Sequence, residues 1–404
     1  MPRLLLSGTG QAMQVPDVAQ VPDQAAPTAL GTVDELVAAG VLSADEVVDT
    51  GLAVEVGARR NRNLVITRPD GSGYFVKVPN EQSPMSRSTL RSEIDFYRAA
   101  AGRGHPFDAL LVRLVHADRQ RPLLVLEFRP EHRGLGDIVR ERPAGEFPVS
   151  LYQETGRLLG ELHAAGPDWT AAPTAPPEVA PVTDYGRPDP WLLCTASRGT
   201  LMLVEMVQSS SELSSGLTGL VSRWRPGTVV HGDVRAANVL VRPAAARPPQ
   251  AHPGAARGRD IRLVDWELWH LGDPAQDLAG LLESVVRAAL GPVLDPALAA
   301  PPSRPTGTGP PPTGPGVAAA GLVLQATCRA VWRAYLSVRP PTVTAQRDLA
   351  ARTAAFTAAR LVQTQVEEAG RSEAVSVGGC AMLEIAANIF TDPDRAATEF
   401  LALT

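Results

Sequence analysis

The sequence predicts an α+β protein, with a small antiparallel sheet near its start and a mainly helical remainder. Three observations carry that expectation. Alternating apolar segments joined by tight turns fill residues 50 to about 130. Helical periodicity and alanine-rich runs dominate after residue 130. Within the helical part, Val229 to Val241 sets a polar loop between two short apolar strands.

The elements follow in order. Residues 1–30 have no periodicity and are expected to form a flexible arm. Thr32 to Val48 contains two short helical starts, with Thr32 and Ser43 as N-caps. The strands LAVEVG, NLVIT and YFVKV come next, the last two turned at Pro69-Asp70-Gly71. Lys77 in the third is expected to point away from the Phe75 side. Ser88 to Ala101 is an amphipathic helix on Leu90, Ile94 and Tyr97, and Leu110 to Val115 and Leu123 to Phe128 complete the sheet.

Beyond it, Tyr152 to Ala165 reads as a buried helix, and Ser209 to Trp224 as a helix feeding the strand Thr228-Val229-Val230. Val317 to Leu403 divides into three or four helices at Pro340-Pro341, Gly370 and Pro393. Stretches 167–190, 243–259 and 291–316 are rich in Pro, Gly and Ala and are expected to be mobile insertions. The expected organisation is an arm over 1–30, a sheet-and-helix domain over 31–130 and a helical domain over 131–404.

A hydrophobic content of 44% in 404 residues suits a globular chain, and a net charge of −5 argues against nucleic acid as a partner. No apolar run approaches a membrane span. Cys194, Cys328 and Cys380 are odd in number and far apart, which argues against a disulfide framework and points to small buried side chains in a reducing cytoplasm.

Lys77 is the one lysine in the chain, set against 37 arginines. Coding bias explains the arginines but not the lysine that remains in a strand. An ammonium is a compact charge on a flexible stem, and a guanidinium does not substitute for it where a phosphate must be reached from a buried strand. The segment Val230-His231-Gly232-Asp233-Val234-Arg235-Ala236-Ala237-Asn238 presents a carboxylate and, five residues on, an amide. A second acid, Asp265, ends the strand Ile261 to Val264. Phosphoryl transfer needs these parts: one carboxylate to orient a hydroxyl and accept its proton, and hard oxygen donors for the metal that neutralises phosphate.

HGDxxxxN followed by LVDWE resembles the aminoglycoside phosphotransferase family, which includes choline kinase-like enzymes and belongs to the protein-kinase-like fold. The resemblance covers roughly residues 50 to 290. It implies a two-lobed fold, with a nucleotide-binding sheet lobe, a helical catalytic lobe, and an acceptor cleft between them. It also implies ATP and Mg²⁺ as cofactors and phosphorylation of a hydroxyl. Asp233 matches the catalytic base, Asn238 and Asp265 the metal ligands, and Lys77 the lysine on the α- and β-phosphates. Glu93 is the expected partner of Lys77, with Glu81 and Asp95 competing. Asp277, in Gly272-Asp273-Pro274-Ala275-Gln276-Asp277, is expected to accept hydrogen bonds from the HGD backbone, and a helix N-cap is the plainer alternative. His231 is expected to brace the loop as a donor, and His163 to be a satisfied core histidine. Glu267 stands between a supporting role and a metal contact.

Protein kinases cover the phosphates with a GxGxxG loop, which this chain lacks. Gly57, Arg59 and the arginines up to Arg62 offer a basic hairpin tip that suits a phosphate cradle, a substrate grip or a bare surface turn. Glu127, Phe128 and Arg129 end the strand that the resemblance assigns to adenine. The leading acceptor is a small molecule, aminoglycoside-like or an amino alcohol. The alternatives are a Ser/Thr precursor peptide modified with a partner lyase, and a non-catalytic nucleotide-binding scaffold.

Overall fold

The computed structural model describes residues 26–404 apart from 50, 59–60, 84, 144–145, most of 167–195, 244–259 and 296–315. In chain order the elements are α1 (Ala26–Ala38), α2 (Ala44–Asp49), β1 (Ala53–Ala58), β2 (Arg62–Thr67), β3 (Gly73–Val78), α3 (Ser86–Ala100), α4 (Phe107–Leu110), β4 (Leu114–Asp118), β5 (Leu123–Glu127) and β6 (Arg133–Gly134). Then come α5 (Leu135–Glu141), α6 (Val149–Ala165), α7 (Arg198–Ser209), α8 (Ser211–Arg223), β7 (Thr228–Val230), β8 (Val239–Val241), β9 (Ile261–Leu263) and β10 (His270–Gly272). The remainder is α9 (Pro274–Leu294), α10 (Val317–Val338), α11 (Val343–Ala369), α12 (Val377–Thr391) and α13 (Pro393–Arg395).

Two compact units result. The first comprises residues 1–134 and 238–269, the second residues 135–237 and 270–404. The first is built on an antiparallel sheet in the order β1-β2-β3-β5-β4, joined by the small sheet β6-β8-β9. Side chains of a strand alternate between its faces. Val76 and Val78 of β3 therefore enter a cluster with Leu64 and Ile66 of β2, Val125 of β5, and Val33 and Leu36 of α1. Phe75 and Lys77, two residues apart, share the opposite face. This corrects the expectation that Lys77 points away from the Phe75 side.

Other boundaries also differ. Residues 26–30 open α1 rather than ending an arm, and Thr32 lies inside that helix. Ser43 does cap α2: its Oγ accepts from the Glu46 amide at 3.1 Å, while the Ser43 amide donates to Glu46 Oε2 at 2.8 Å. Leu110 ends α4, and its strand begins only at Leu114, because a short apolar run does not separate a buried helix end from a strand.

The second unit is helical around the two-stranded sheet β10-β7. Gly291 to Leu294 finish α9, where a linker was expected. Pro292 has no N–H for the Ala288 carbonyl one turn back, and Arg142 Nη2 donates to that carbonyl instead at 3.0 Å. The rest of the stretches expected to be mobile, and residues 1–25, lie mostly outside the described residues. Of the three cysteines only Cys328 is buried, and Cys194 and Cys380 are exposed. Among the described residues, no helix is long and apolar enough to cross a membrane.

Candidate functional site

In the first unit the site is built around Lys77. Its Nζ donates to Glu93 Oε2 at 2.7 Å and to Asp265 Oδ1 at 2.6 Å. Glu81 and Asp95, the competing partners, pair instead with Arg87 at 2.6 Å and Arg119 at 2.8 Å. Burial by itself favours the neutral amine, but the charges of Asp265 and Glu93 outweigh it and hold the ammonium above its ordinary pKa. Burial pushes the Glu93 carboxyl up, against the pull of Lys77 and with the added charge of Asp265. One ammonium is thus shared by two carboxyl groups.

Local packing fixes that arrangement. The amide of Trp266 donates to Glu93 Oε1 at 3.3 Å, and Trp269 Nε1 donates to the Ser92 carbonyl at 2.7 Å. The Trp266 ring stacks on Phe96 of α3 with centroids 4.0 Å apart. The segment after β9 is thereby clamped along α3, one turn of which carries Glu93. Asp265 itself has φ 70° and ψ 57°, in the left-handed region that side chains other than glycine rarely adopt. Such strain persists only where the surroundings over-determine it. Here the ion pair and the clamp on Trp266 and Trp269 supply that constraint.

Asn238 precedes β8, which pairs antiparallel with β9 through Val239 and Leu263. The Val264 amide donates to the Asn238 carbonyl at 3.0 Å, so the amide and the Asp265 carboxylate stand at neighbouring strand ends. Mg²⁺ takes oxygen donors and is commonly held by one or two protein ligands together with phosphates and water. Asn238 and Asp265 fit that donor set. Among the described residues no cluster of three or more His, Cys, Asp or Glu offers a different metal site.

The nucleotide-loop residues are less concentrated. Gly57 pairs with Asn63 near the β1–β2 turn, and Arg59 lies outside the described residues. Asn61, overlooked in the sequence, is buried beside that turn: its Nδ2 donates to Glu267 Oε2 at 3.4 Å, and its Oδ1 accepts from Ser86 Oγ at 2.7 Å. This gives Glu267 a supporting partner. Glu127 pairs with Arg129 at 2.8 Å, and the Phe128 amide donates to the Gly73 carbonyl at 2.9 Å. That N–H is thus bonded within the protein.

In the second unit the HGD loop is held from beneath. The amides of His231 and Gly232 donate to Asp277 Oδ2 and Oδ1 at 2.7 and 2.9 Å. His163 Nε2 lies 3.1 Å from Asp277 Oδ2, and its Nδ1 lies 3.1 Å from the Tyr335 hydroxyl. Burial would raise the Asp277 pKa, but the bonds from His163 and the His231 amide hold it below the usual carboxylate value. The cap of α9 is Asp273, which also binds Arg352 at 2.8 Å. His231 Nδ1 accepts from the Asp233 amide at 3.2 Å, so at this contact it is an acceptor rather than the expected donor. Gly232 turns the loop at φ 81°. Gly280 lets α9 approach it, since a Cβ there would lie 2.1 Å from the Val234 carbonyl oxygen.

Two arginines absent from the expected site hold Asp233. Arg360 Nη2 of α11 donates to its Oδ1 at 2.9 Å, and Arg235 Nε lies 3.2 Å from its Oδ2. Arg235 was legible inside HGDVRAAN itself. Arg360 interrupts the small apolar run Thr353 to Val362, and a charge in such a run signals a buried partner. A pocket of about 350 Å³ in this unit, lined by Arg287, Asp295, Gln365 and Glu368 among others, does not include Asp233.

A search of curated protein sequences finds no match to the chain. Among solved structures, a choline kinase from Cryptosporidium parvum Iowa II is similar at 10% identity and TM-score 0.51, covering 92% of this chain and 99% of its own. An amicoumacin kinase in complex with AMP-PNP and Ca²⁺ is 14% identical with TM-score 0.49, covering 92% and 96%. The choline kinase of Streptococcus pneumoniae is 13% identical with TM-score 0.45, covering 89% and 99%. The likeness to the first bears on the fold, which is kinase-like, of the α+β class. The sequence profile of the phosphotransferase enzyme family matches residues 53–309, and these span the lysine strand, the HGD loop and the second acid. The chain belongs to the phosphotransferase enzyme family.

Proposed function

We propose that the protein transfers the γ-phosphate of ATP to a hydroxyl of a small-molecule acceptor, with Mg²⁺ as the metal. The observation that carries this reading is the buried Lys77 ammonium held between Glu93 and Asp265 at 2.7 and 2.6 Å. A lysine so held is fixed in its charged state and aimed, which is what binding of α- and β-phosphates requires. Asn238 and Asp265 would hold the metal, which supplies charge neutralisation of the phosphates.

Asp233 receives the acceptor. The hydroxyl oxygen bonds to the γ-phosphorus, the bond from that phosphorus to the β–γ bridging oxygen breaks, and its electron pair leaves with ADP. The hydroxyl proton passes to the Asp233 carboxylate. Asp233 acts chiefly by orienting the hydroxyl and takes the proton late. Asp277 fixes the loop that presents it.

The test is an ATP-consumption screen against hydroxyl compounds, read by a mass increase of the acceptor by one phosphoryl group. The Asp233→Ala variant should abolish the product while ATP still binds. Undiminished turnover by that variant would remove Asp233 from the reaction.

A further inference from the structure

We propose that the acceptor carries an anionic group, a carboxylate or a phosphate, beside the hydroxyl that is phosphorylated, and that Arg360 and Arg235 recognise it. The proposal rests on Asp233 being the acceptor residue. A hydroxyl bonded to Asp233 comes to a carboxylate whose two oxygens each face a guanidinium, at 2.9 and 3.2 Å. A carboxylate has about four lone-pair positions, so both ion pairs leave room for a third donor. Substituents on the carbon next to that hydroxyl then lie within a few ångströms of two fixed positive charges.

The surrounding acids are themselves paired. Glu367 pairs with Arg235 at 3.2 Å, and Glu368 pairs with Arg287. Glu283 is buried, accepts from Thr364 Oγ1 at 2.8 Å and has Arg287 at 3.7 Å, and burial raises its pKa despite Arg287 and Arg360. Each acid near Asp233 thus has a basic or hydroxyl partner within the protein. A polycationic acceptor would have to displace arginines to find an acid. A purely structural explanation, in which Arg360 staples α11 to the loop, leaves one fact aside. Arg360 Nε is buried with no hydrogen-bond partner, although Nη1 reaches Gln363 at 3.0 Å and Nη2 reaches Asp233. A buried donor without a partner costs stability, which a side chain present only to staple the helix has no reason to bear.

Two matched pools test this with the full-length protein and ATP·Mg²⁺. One holds glycerate, glycerol 3-phosphate and other hydroxyl compounds with an adjacent anion, and the other their neutral and amino counterparts, including glycerol and ethanolamine. Phosphorylated product is expected in the anionic pool, and the individual members separate carboxylate from phosphate. Arg360→Ala should raise KM for that acceptor by about 10- to 100-fold, with KM for ATP unchanged. Arg360→Lys, which keeps the charge without the fork, should fall between. Arg235→Gln gives a second reading on a half-buried side chain should Arg360→Ala fail to fold. Product confined to the neutral or amino pool, or an acceptor KM that neither position moves, would overturn the proposal and leave the phosphotransfer reading intact. No product from either pool would count against the phosphotransfer reading, and this proposal with it.

Discussion

Lys77 shows how much one side chain depends on its setting. Placing an ammonium in a protein interior is costly unless opposite charges compensate it, and here two carboxylates do so at hydrogen-bond distance. Removing one of them changes more than charge. Glu93→Gln leaves Asp265 as the charged partner of Lys77, and the variant should lose roughly 10²-fold in kcat, with a smaller change in acceptor KM. Lys77→Arg should lower turnover sharply although charge is kept, because the planar fork does not reproduce the ammonium's contacts with Glu93 and Asp265. Steady-state kinetics on both variants check these outcomes, and wild-type rates for Lys77→Arg would reduce the lysine to a structural residue. The sequence made Lys77, Asp233, Asn238 and Asp265 legible because each sits in a short motif with strong local patterning. Arg360 was not legible as a site residue, since it approaches Asp233 from 127 positions away. Nor does spacing specify the left-handed backbone of Asp265, which is imposed by packing against α3.

Among the elements, α9 has the largest share in shaping the loop. Its first turn offers Asp277 to two backbone amides, and Gly280, one turn on, lets the helix come within contact of Val234. Asp277→Ala would leave those amides and His163 without their acceptor and should lower unfolding stability by roughly 3 kcal/mol. A urea titration measures this. Gly280→Ala forces a methyl group into the Val234 carbonyl and should lower kcat more than it lowers the melting temperature, because the displaced atoms belong to the loop. The course of α9 was readable from the apolar positions Leu278 to Val286, although its cap is Asp273 rather than Asp277. Its last turn was not, because Gly291-Pro292 is a stop signal that only the distant Arg142 overrides. In the same way the apolar run at Leu110 carried no information on where helix gave way to strand.

For the whole molecule, the first unit is not a contiguous piece of chain. Residues 238–269 return to it and bring Asp265 to a lysine 188 positions earlier. A fragment ending at residue 134 lacks β8, β9 and the Trp266 clamp, and should not unfold cooperatively. Calorimetry of that fragment beside the full chain decides the point. Acid stability follows from Asp277. Its folded pKa is lower than the unfolded value of 3.8, so its ionised form contributes stability in full above that pH. The contribution is lost as pH falls through the lower folded value. Thermal unfolding from pH 5 to pH 3 should therefore slope more steeply for the parent chain than for Asp277→Asn. The division into a sheet-rich part and a helical part was readable from the change in texture near residue 130. The return of residues 238–269 was not, because strand pairing between distant segments leaves no local periodicity.

The scarcity of lysine also makes this protein its own reporter. A chain with one such residue, grown on isotopically labelled lysine, yields a single side-chain resonance, and that resonance belongs to the ammonium between Glu93 and Asp265. Its shift and its hydrogen exchange would follow nucleotide, metal and acceptor in turn, with no mutation and no assignment problem. The buried ammonium can thus be observed on its own in the intact chain.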